Sequence, residues 1–430
     1  MRRRVVITGI GMVTPLGLTA ADTFAALLEG KSGAGPITHF PAATYPTNFA
    51  CEVKGFDIAR YVADPSKYKA TGPNIRFSVA AARQALDDAN LLPHRLDPTR
   101  IGVYLGAGEG GDDVTALVSS AAGAGDESGF KSDHGKFCEI ARRLHNPRRE
   151  ENVEMHQPSA FVADEFDLGG PNLTSLTACA ASAQALGEAA ELIRYGDADV
   201  MVSGGSHSMI HTLGVTGFTL LTALSRRCDA PTTASRPFDA TRDGFVLGEG
   251  GGMVILEELE HAKRRGATIY AELTGYGTTG DAHAMTDPHP EGRGAVRAMQ
   301  DAIRNAGLQP ADIGYINAHG TSTHANDEAE TAAIKTVMGE AAYKVPVSSS
   351  KSMLGHLIAA GGVVEIIIAI QAMRQGVIPP TMNYENPDPK CDLDYVPNAA
   401  RQKSGIKHVL SNSFGFGGQN DTIIVKRFNA

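Results

Sequence analysis

The chain has 430 residues, no tryptophan, five cysteines and no Cys-x-x-Cys pair. Cys51, Cys138, Cys179, Cys228 and Cys391 are odd in number and widely scattered. That argues against a disulfide framework and a cysteine-type zinc site, and points to a reducing, cytoplasmic setting. An excess of basic charge is missing too: 39 Lys and Arg face 48 Asp and Glu, a net charge of −9. A general binder of nucleic acid or of anionic membranes needs the opposite balance. Long apolar runs are also lacking. The best candidate for a membrane span, "GGVVEIIIAIQAM", is short and contains Glu365. The opening "MRRRVVITGIGMVTPLGL" imitates a secretory leader, but Gly9, Gly11, Pro15 and Gly17 break its apolar stretch. A first strand at Val5–Thr8 entering a glycine turn is expected instead.

What the chain has in abundance is glycine, 48 residues, within a composition that is 42% hydrophobic and 20% charged. Such a composition belongs to a globular protein with many tight turns and closely packed backbones. The length suits one large α/β unit or two domains.

The chain also resembles itself. "ALDDANLLPHRLDPTRIGVYLGAGEGG" (85–111) and "AIRNAGLQPADIGYINAHGTS" (302–322) each read as a helix end, a Pro/Asp turn, Ile-Gly, and a short strand into a glycine loop. Aligning Ile101 with Ile313 sets Ala107 opposite His319. "CAASAQALGEAAELIRYG" (179–196) and "AAGGVVEIIIAIQAMRQG" (359–376) align through Arg194 and Arg374, which sets Cys179 opposite Ala359. The offset falls from 212 to 180, a difference of 32 residues that assigns an insertion to about 112–155. That segment is rich in glycine and serine, then in charge, so a surface excursion with one short helix near Lys136–Leu144 is expected, as a lid, a partner contact or a solvated loop. Two halves follow: 1–266 with the insertion, and 267–430.

One thiol stands out. "TACAAS" (177–182) joins an expected strand end at Leu173–Thr177 to a helix over Ala180–Tyr195 with an apolar stripe through Ala183, Leu186 and Ala190. A buried small residue is the ordinary reading of a lone cysteine. At a helix N-terminus, however, unpaired N–H groups and the dipole favour thiolate and lower its pKa, and the same groups can hold an oxyanion. Two histidines are candidate partners: His319 in "INAHGTSTHAND" and His356 in "VSSSKSMLGHLIAAGG". Taken singly, one could brace a turn and the other cap a helix. Under the duplication their loops and the Cys179 loop meet at matching ends of one strand layer. Glu365 on an apolar helix demands a partner, either Lys351 or a backbone turn. "SNSFGFGGQN" (411–420) is a glycine loop able to bring a backbone N–H to a reacting carbonyl and an aromatic ring to the entrance.

Together "TACAAS", "DGFVLGEGGGMVILEELEHAKRRGA" (243–267), "NAHGTSTHAND", "SSSKSMLGHLIAAGG" and "SNSFGFGGQN" resemble the β-ketoacyl-acyl carrier protein synthases, nearest their elongating type II members. The likeness runs from Val5 to about Val425 and weakens over 107–160. It implies an α/β thiolase fold, two duplicated halves in a five-layer αβαβα arrangement, and a homodimer. It implies that Cys179 accepts the acyl group and that His319 and His356 hydrogen-bond the malonyl thioester carbonyl. Lys351 would support the site's electrostatics, with Glu365, Asp327 and Phe414 as supporting neighbours. The N–H groups of Cys179 and Phe416 would form the oxyanion hole, Phe416 also being the gating ring. Glu109, Phe218 and Ile358 are the acyl-pocket candidates; Lys67, Lys69, Arg226 and Arg227 are candidates for docking an acidic carrier protein. No catalytic metal and no resident cofactor are implied: phosphopantetheine arrives on the carrier, and a structural monovalent cation stays open.

This chain also departs from the family. Glu109 in "GAGEGG" stands where relatives carry an aliphatic residue, and "VEMHQPSAFVADEFDLGGP" replaces a more apolar stretch. Thr222 stands where many relatives carry an arginine that meets the carrier. These changes leave the reaction intact and put the acyl substrate in question. Fatty acid elongation is the leading reading. A ketosynthase of a specialised polyketide or polar acyl pathway is the alternative, and a carrier-binding scaffold without turnover the second. A thiolase would have a cysteine in "SFGFGGQN". Starter- and chalcone-type enzymes would have Asn at 356, and a cysteine hydrolase gives no role to His356 and Lys351.

Overall fold

Ten segments rich in β-branched residues and glycine form the strands of one large sheet in the computed structural model, which describes residues 3–92, 96–110, 113–126, 131–151 and 153–428. The first five are β1 (Val5–Val13), β2 (Ile101–Gly106), β3 (Asn172–Ser175), β4 (Val200–His207) and β5 (Gly250–Glu258). The second five are β6 (Ala271–Gly280), β7 (Tyr315–Asn317), β8 (Val347–Ser348), β9 (His408–Gly415) and β10 (Gln419–Arg427). Their spatial order is β8-β7-β9-β10-β6-β1-β5-β4-β2-β3. Each half therefore runs in the same order. In each, the first, fifth and fourth strands pair antiparallel and the fourth, second and third pair parallel. The halves meet where Val6 faces Glu272 and Ile7 faces Ala271.

Strands such as β1, β4 and β5 are buried along their whole length, because helices cover both faces. Helices α1 (Pro73–Asp88) and α2 (Gln157–Phe166) pack on the outer face of the first half, and α4 (Arg293–Asn305) and α5 (His324–Met338) serve the second. Between the halves lie α3 (Ala181–Tyr195) and α6 (Gly361–Gln375), which touch each other and strands of both. The result is the five-layer αβαβα thiolase arrangement. The stretch Ile358–Gln375 is long and apolar enough to cross a membrane by length and composition, but 83% of it is buried inside the protein. A helix apolar all round is what a central layer requires. Close approach of the central helices requires Gly362, where a Cβ would stand 2.9 Å from the Ala183 Cβ.

The same offsets recur in the elements. Turns at Pro98–Arg100 and Pro310–Asp312 lead into β2 and β7, 212 residues apart. Helices α3 and α6 begin 180 residues apart, each with 15 residues, and each ends at a left-handed glycine, Gly196 or Gly376. Each also follows a one-turn 3-10 helix whose first residue has positive φ without being glycine: Ala178 at 48° and Ile358 at 49°.

Where the structure describes it, the segment 112–155 differs from the single short helix expected; residues 112, 127–130 and 152 lie outside the described residues. Val114–Ala124 is also helical, capped by the Asp113 side chain on Ala116 N–H, and it packs against His134–Leu144 with Ile140 set on Gly123. Its alanines outweigh the serine and glycine content that suggested coil. The stem returns at Val153 against Gly110 of the glycine loop after β2. The basic start also finds its role: Arg3 pairs with Asp199 and Arg4 with Glu272, tying down β1.

Candidate active site

Cys179, His319, Lys351 and His356 all lie beyond the C-terminal ends of parallel strands, after β3, β7 and β8. In an open α/β sheet that edge is where ligands bind. A cavity of about 310 Å³ is lined there by Cys179, His319 and His356 together with Phe414, Phe416 and Thr321.

Cys179 occupies the 3-10 turn Ala178–Ala180 at the start of α3, within an apolar cluster that includes Ile210, Val215, Leu224 and Ile358. Its thiol corrects the expectation of a stabilised thiolate. Burial pushes its pKa up to about 11; the Lys351 charge and the N–H groups of Phe416 and Cys179 pull it down, and Glu109 pushes it up again. Desolvation wins because the sulfur is enclosed by side chains that cannot solvate an anion. The two N–H groups nonetheless converge on the sulfur, since Gly415 lets the terminal loop approach: a Cβ there would lie 3.1 Å from the Cys179 nitrogen.

The imidazoles meet edge-on, with ring centroids 5.3 Å apart. Nδ1 of His356 accepts the Ile358 N–H at 3.3 Å, so its proton resides on Nε2. Burial holds both histidines well below the usual imidazole range, and the Lys351 charge adds to it. Each is therefore neutral near pH 7. Lys351 is ion-paired with Glu365, both buried, and burial raises the Glu365 carboxyl to about 7 against the pull of Lys351.

Residues that position this group were in part not foreseen. Glu330, buried on α5, accepts the N–H groups of His319 and Gly320, each at 2.8 Å, and the Asn412 amide at 3.0 Å. Asp327, one helical turn earlier, accepts the Phe238 N–H at 2.8 Å and the Ser322 N–H at 3.3 Å. Arg242, fully buried, lies 3.5 Å from Asp327 and donates to Asp388 at 2.7 Å. Carboxylates three apart on the inward face of "HANDEAE" were a usable signal for Glu330. Nothing in the sequence marked Arg242.

The remaining candidates divide. Phe414 stands 5.7 Å from the His319 ring; Phe218 stands 5.6 Å from Phe245 and 6.4 Å from Phe416. Glu109 is exposed, its carboxylate 3.8 Å from Nε2 of the buried His207, another residue the sequence reading missed. The docking candidates fall in two places. Arg226 and Arg227 contact Asp243, which lines the cavity, whereas Lys67 lies against Asp164 of α2 and Lys69 closes the turn Pro65–Tyr68.

Comparison with known proteins is consistent along the chain. The family model described as Beta-ketoacyl synthase, N-terminal domain, matches residues 2–262, and that described as Beta-ketoacyl synthase, C-terminal domain, matches 270–385. The 3-oxoacyl-[acyl-carrier-protein] synthase 2 of Coxiella burnetii is 45% identical over 426 residues, 99% of each chain. That of a Synechocystis species is 44% identical over 428 residues, again 99% of each. Among solved structures, the ishigamide ketosynthase/chain length factor matches with a TM-score of 0.89 at 34% identity, covering 100% of both chains. A type II PKS ketosynthase solved in complex with its acyl-carrier protein matches at 0.87 and 34%, also with full coverage.

Proposed function

The chain belongs to the β-ketoacyl synthase family, and on that premise we propose how its residues divide the work of β-ketoacyl-acyl carrier protein synthesis. The reaction is the decarboxylative Claisen condensation of fatty acid elongation, an acyltransferase chemistry in which phosphopantetheine comes with the carrier protein.

Cys179 attacks the carbonyl of an acyl thioester, and the departing pantetheine sulfur leaves with the thiol proton. Coupling proton loss to attack suits a thiol that burial keeps protonated. Malonyl thioester then loses carbon dioxide, and the electron pair of the broken bond spreads onto its thioester oxygen. His319 and His356 donate N–H hydrogen bonds to that oxygen. Their neutrality matters, because a neutral donor stabilises the enolate without protonating it outright. The enolate carbon attacks the acyl-enzyme, the N–H groups of Cys179 and Phe416 hold the resulting oxyanion, and the Cys179 sulfur is expelled. Lys351, held by Glu365, places a positive charge beside the sulfur.

The observation that supports this reading is the meeting of Cys179, His319 and His356 around one cavity. Carbon dioxide release and product formation from acyl and malonyl thioesters test it. Cys179→Ala is expected to abolish condensation, while Cys179→Gln still decarboxylates malonyl thioester; condensation by the alanine variant at the parent rate would refute the assignment. The second reading, a specialised or polar acyl chain, is favoured by the Glu109 carboxylate, whose charge reaches the nucleophile.

Residues 1–266 and 267–430 are proposed as the two halves. Carrier docking is assigned to Arg226 and Arg227, with Lys67 and Lys69 on the same or a second chain. A homodimer is proposed through edge strand β3, where Leu173 and, just past its end, Leu176 are exposed. Sedimentation as a single chain would remove it. A cytoplasmic setting fits the scattered free thiols.

A further inference from the structure

Strand β4 ends at His207, whose side chain is 1% exposed and fills the space beside Gly108, where a Cβ would lie 2.4 Å from the ring. Among the described residues neither ring nitrogen has a hydrogen-bond partner of good geometry, although the Glu109 backbone favours the protonated ring. A buried imidazole in that state has given up the hydrogen bonds of water, and no side chain among the described residues replaces them. The Glu109 carboxylate stands 3.8 Å from Nε2, too far for a hydrogen bond; its side chain is 66% exposed and has room to turn. His211 and His356 are further titratable groups, among the described residues, whose charges interact with the ring.

The pair stands close to the chemistry but outside the cavity that holds it. The Glu109 charge is felt by the Cys179 thiol, and His207 is felt by His356. Met209 and Ile210, just beyond His207 in the chain, belong to the apolar cluster around Cys179. An acyl group on the sulfur thus has an apolar surround with one unsatisfied imidazole and one movable carboxylate at its margin.

We propose that Glu109 and His207 form a polar subsite for the acyl group on Cys179, and that the subsite takes a chain bearing a hydroxyl group. A hydroxyl is the smallest substituent that both donates and accepts. It takes the proton of the His207 N–H in a hydrogen bond and gives its own to the Glu109 carboxylate, bridging two groups that do not reach each other. A saturated chain leaves His207 unpaired and strips water from Glu109, so it is discriminated against by the cost of unpaired polar groups. The inference rests on the synthase reading above and names the substrate class of that same site.

The test is condensation with malonyl-carrier protein, using N-acetylcysteamine thioesters of one chain length, either saturated or hydroxylated at successive carbons. The parent enzyme is expected to favour one hydroxylated isomer by about tenfold or more in kcat/KM. Glu109→Ile and His207→Leu are each expected to erase that preference while raising use of the saturated chain. Should His207→Leu fail to fold, Glu109→Ile decides alone, since its side chain is exposed. Indifference of the parent to every hydroxyl position, as when a bound water does the bridging, overturns the proposal, and so does an unchanged preference in Glu109→Ile. Absence of product from any thioester, saturated included, defeats the synthase reading instead.

Discussion

The backbone N–H of Ile358 reaches Nδ1 of His356 at 3.3 Å, so a residue held at positive φ also sets the tautomer of a neighbouring imidazole. With Nδ1 occupied, Nε2 carries the proton. Removal of an oxyanion donor costs about 10²–10³ in rate. His356→Ala is expected to slow malonyl decarboxylation by about that factor, and His356→Gln, which can present an N–H at a similar reach, by less. Carbon dioxide release measured under single-turnover conditions separates them; equal rates for all three proteins would take His356 out of the step.

The buried pair Lys351–Glu365 gives a second expectation. Lys351→Ala leaves a buried carboxyl without its cation and is expected to cost about 3 kcal/mol of stability. Lys351→Met with Glu365→Leu removes both charges and is expected to recover most of that loss. In each variant the Cys179 thiol loses the charge that pulls its pKa down. Alkylation by iodoacetamide should therefore need a higher pH than in the parent. An unchanged alkylation profile would mean that Lys351 does not act on the sulfur.

Acid sensitivity follows from His207. Burial lowers its pKa from 6.5 to about 4, so the unfolded chain binds this proton first as pH falls. Its neutral form contributes fully above pH 6.5, and that contribution declines from there down to about pH 4. Glu365 and Asp421, both raised to about 7 by burial, act the other way: their contribution is present at low pH and is lost as pH rises towards 7. A pH profile of the parent alone blends these opposing effects. The difference between parent and His207→Phe isolates one. At pH 5 the variant is expected to gain about 2 kcal/mol relative to the parent, compared with the difference at pH 7.5. Denaturant midpoints at the two pH values measure it, and a constant difference would contradict the assignment.

Two glycines should respond to alanine with opposite sign. At Gly362 a Cβ meets the Ala183 backbone nitrogen and Cβ at 2.9 Å and Ser413 Oγ at 3.0 Å, all across the central layer. Gly362→Ala is expected to cost about 1–3 kcal/mol by overpacking. At Gly217, inside the helix Thr212–Leu220, a Cβ meets nothing within 4 Å. Gly217→Ala is expected to gain up to about 1 kcal/mol from helix propensity. Urea unfolding of the pair checks the contrast; destabilisation of equal size at both would refute it.

Much of this was legible because the fold repeats local signals at fixed spacing. The Pro/Asp turns before Ile101 and Ile313, and the Ala- and Gly-rich starts of the helices after Cys179 and Ala359, are short-range patterns that tertiary structure did not override. The pairing of Lys351 with Glu365 was legible for a different reason, since a carboxylate on an apolar helix has few remedies. What escaped was decided by enclosure. The thiol at 179 has the helix terminus the sequence announced, yet the apolar cluster enclosing it draws on residues as far apart as Ile37 and Ile358, and that burial reverses the direction of its pKa shift. Arg242 and His207 sit in unremarkable stretches, and only packing makes them a buried cation and an unpartnered ring. The helix Val114–Ala124 was hidden by serine and glycine that its alanines outvote.

The strained turn before α3 has a twin before α6 that bears Ala359 in place of the sulfur. Since a half without a nucleophile holds the same contorted backbone, reactivity is not what maintains it. Seating two helix starts at the seam between repeats is enough to do so. Chemistry here occupies a joint whose shape architecture had already set, and one half of a doubled chain was left free to supply imidazoles to the other.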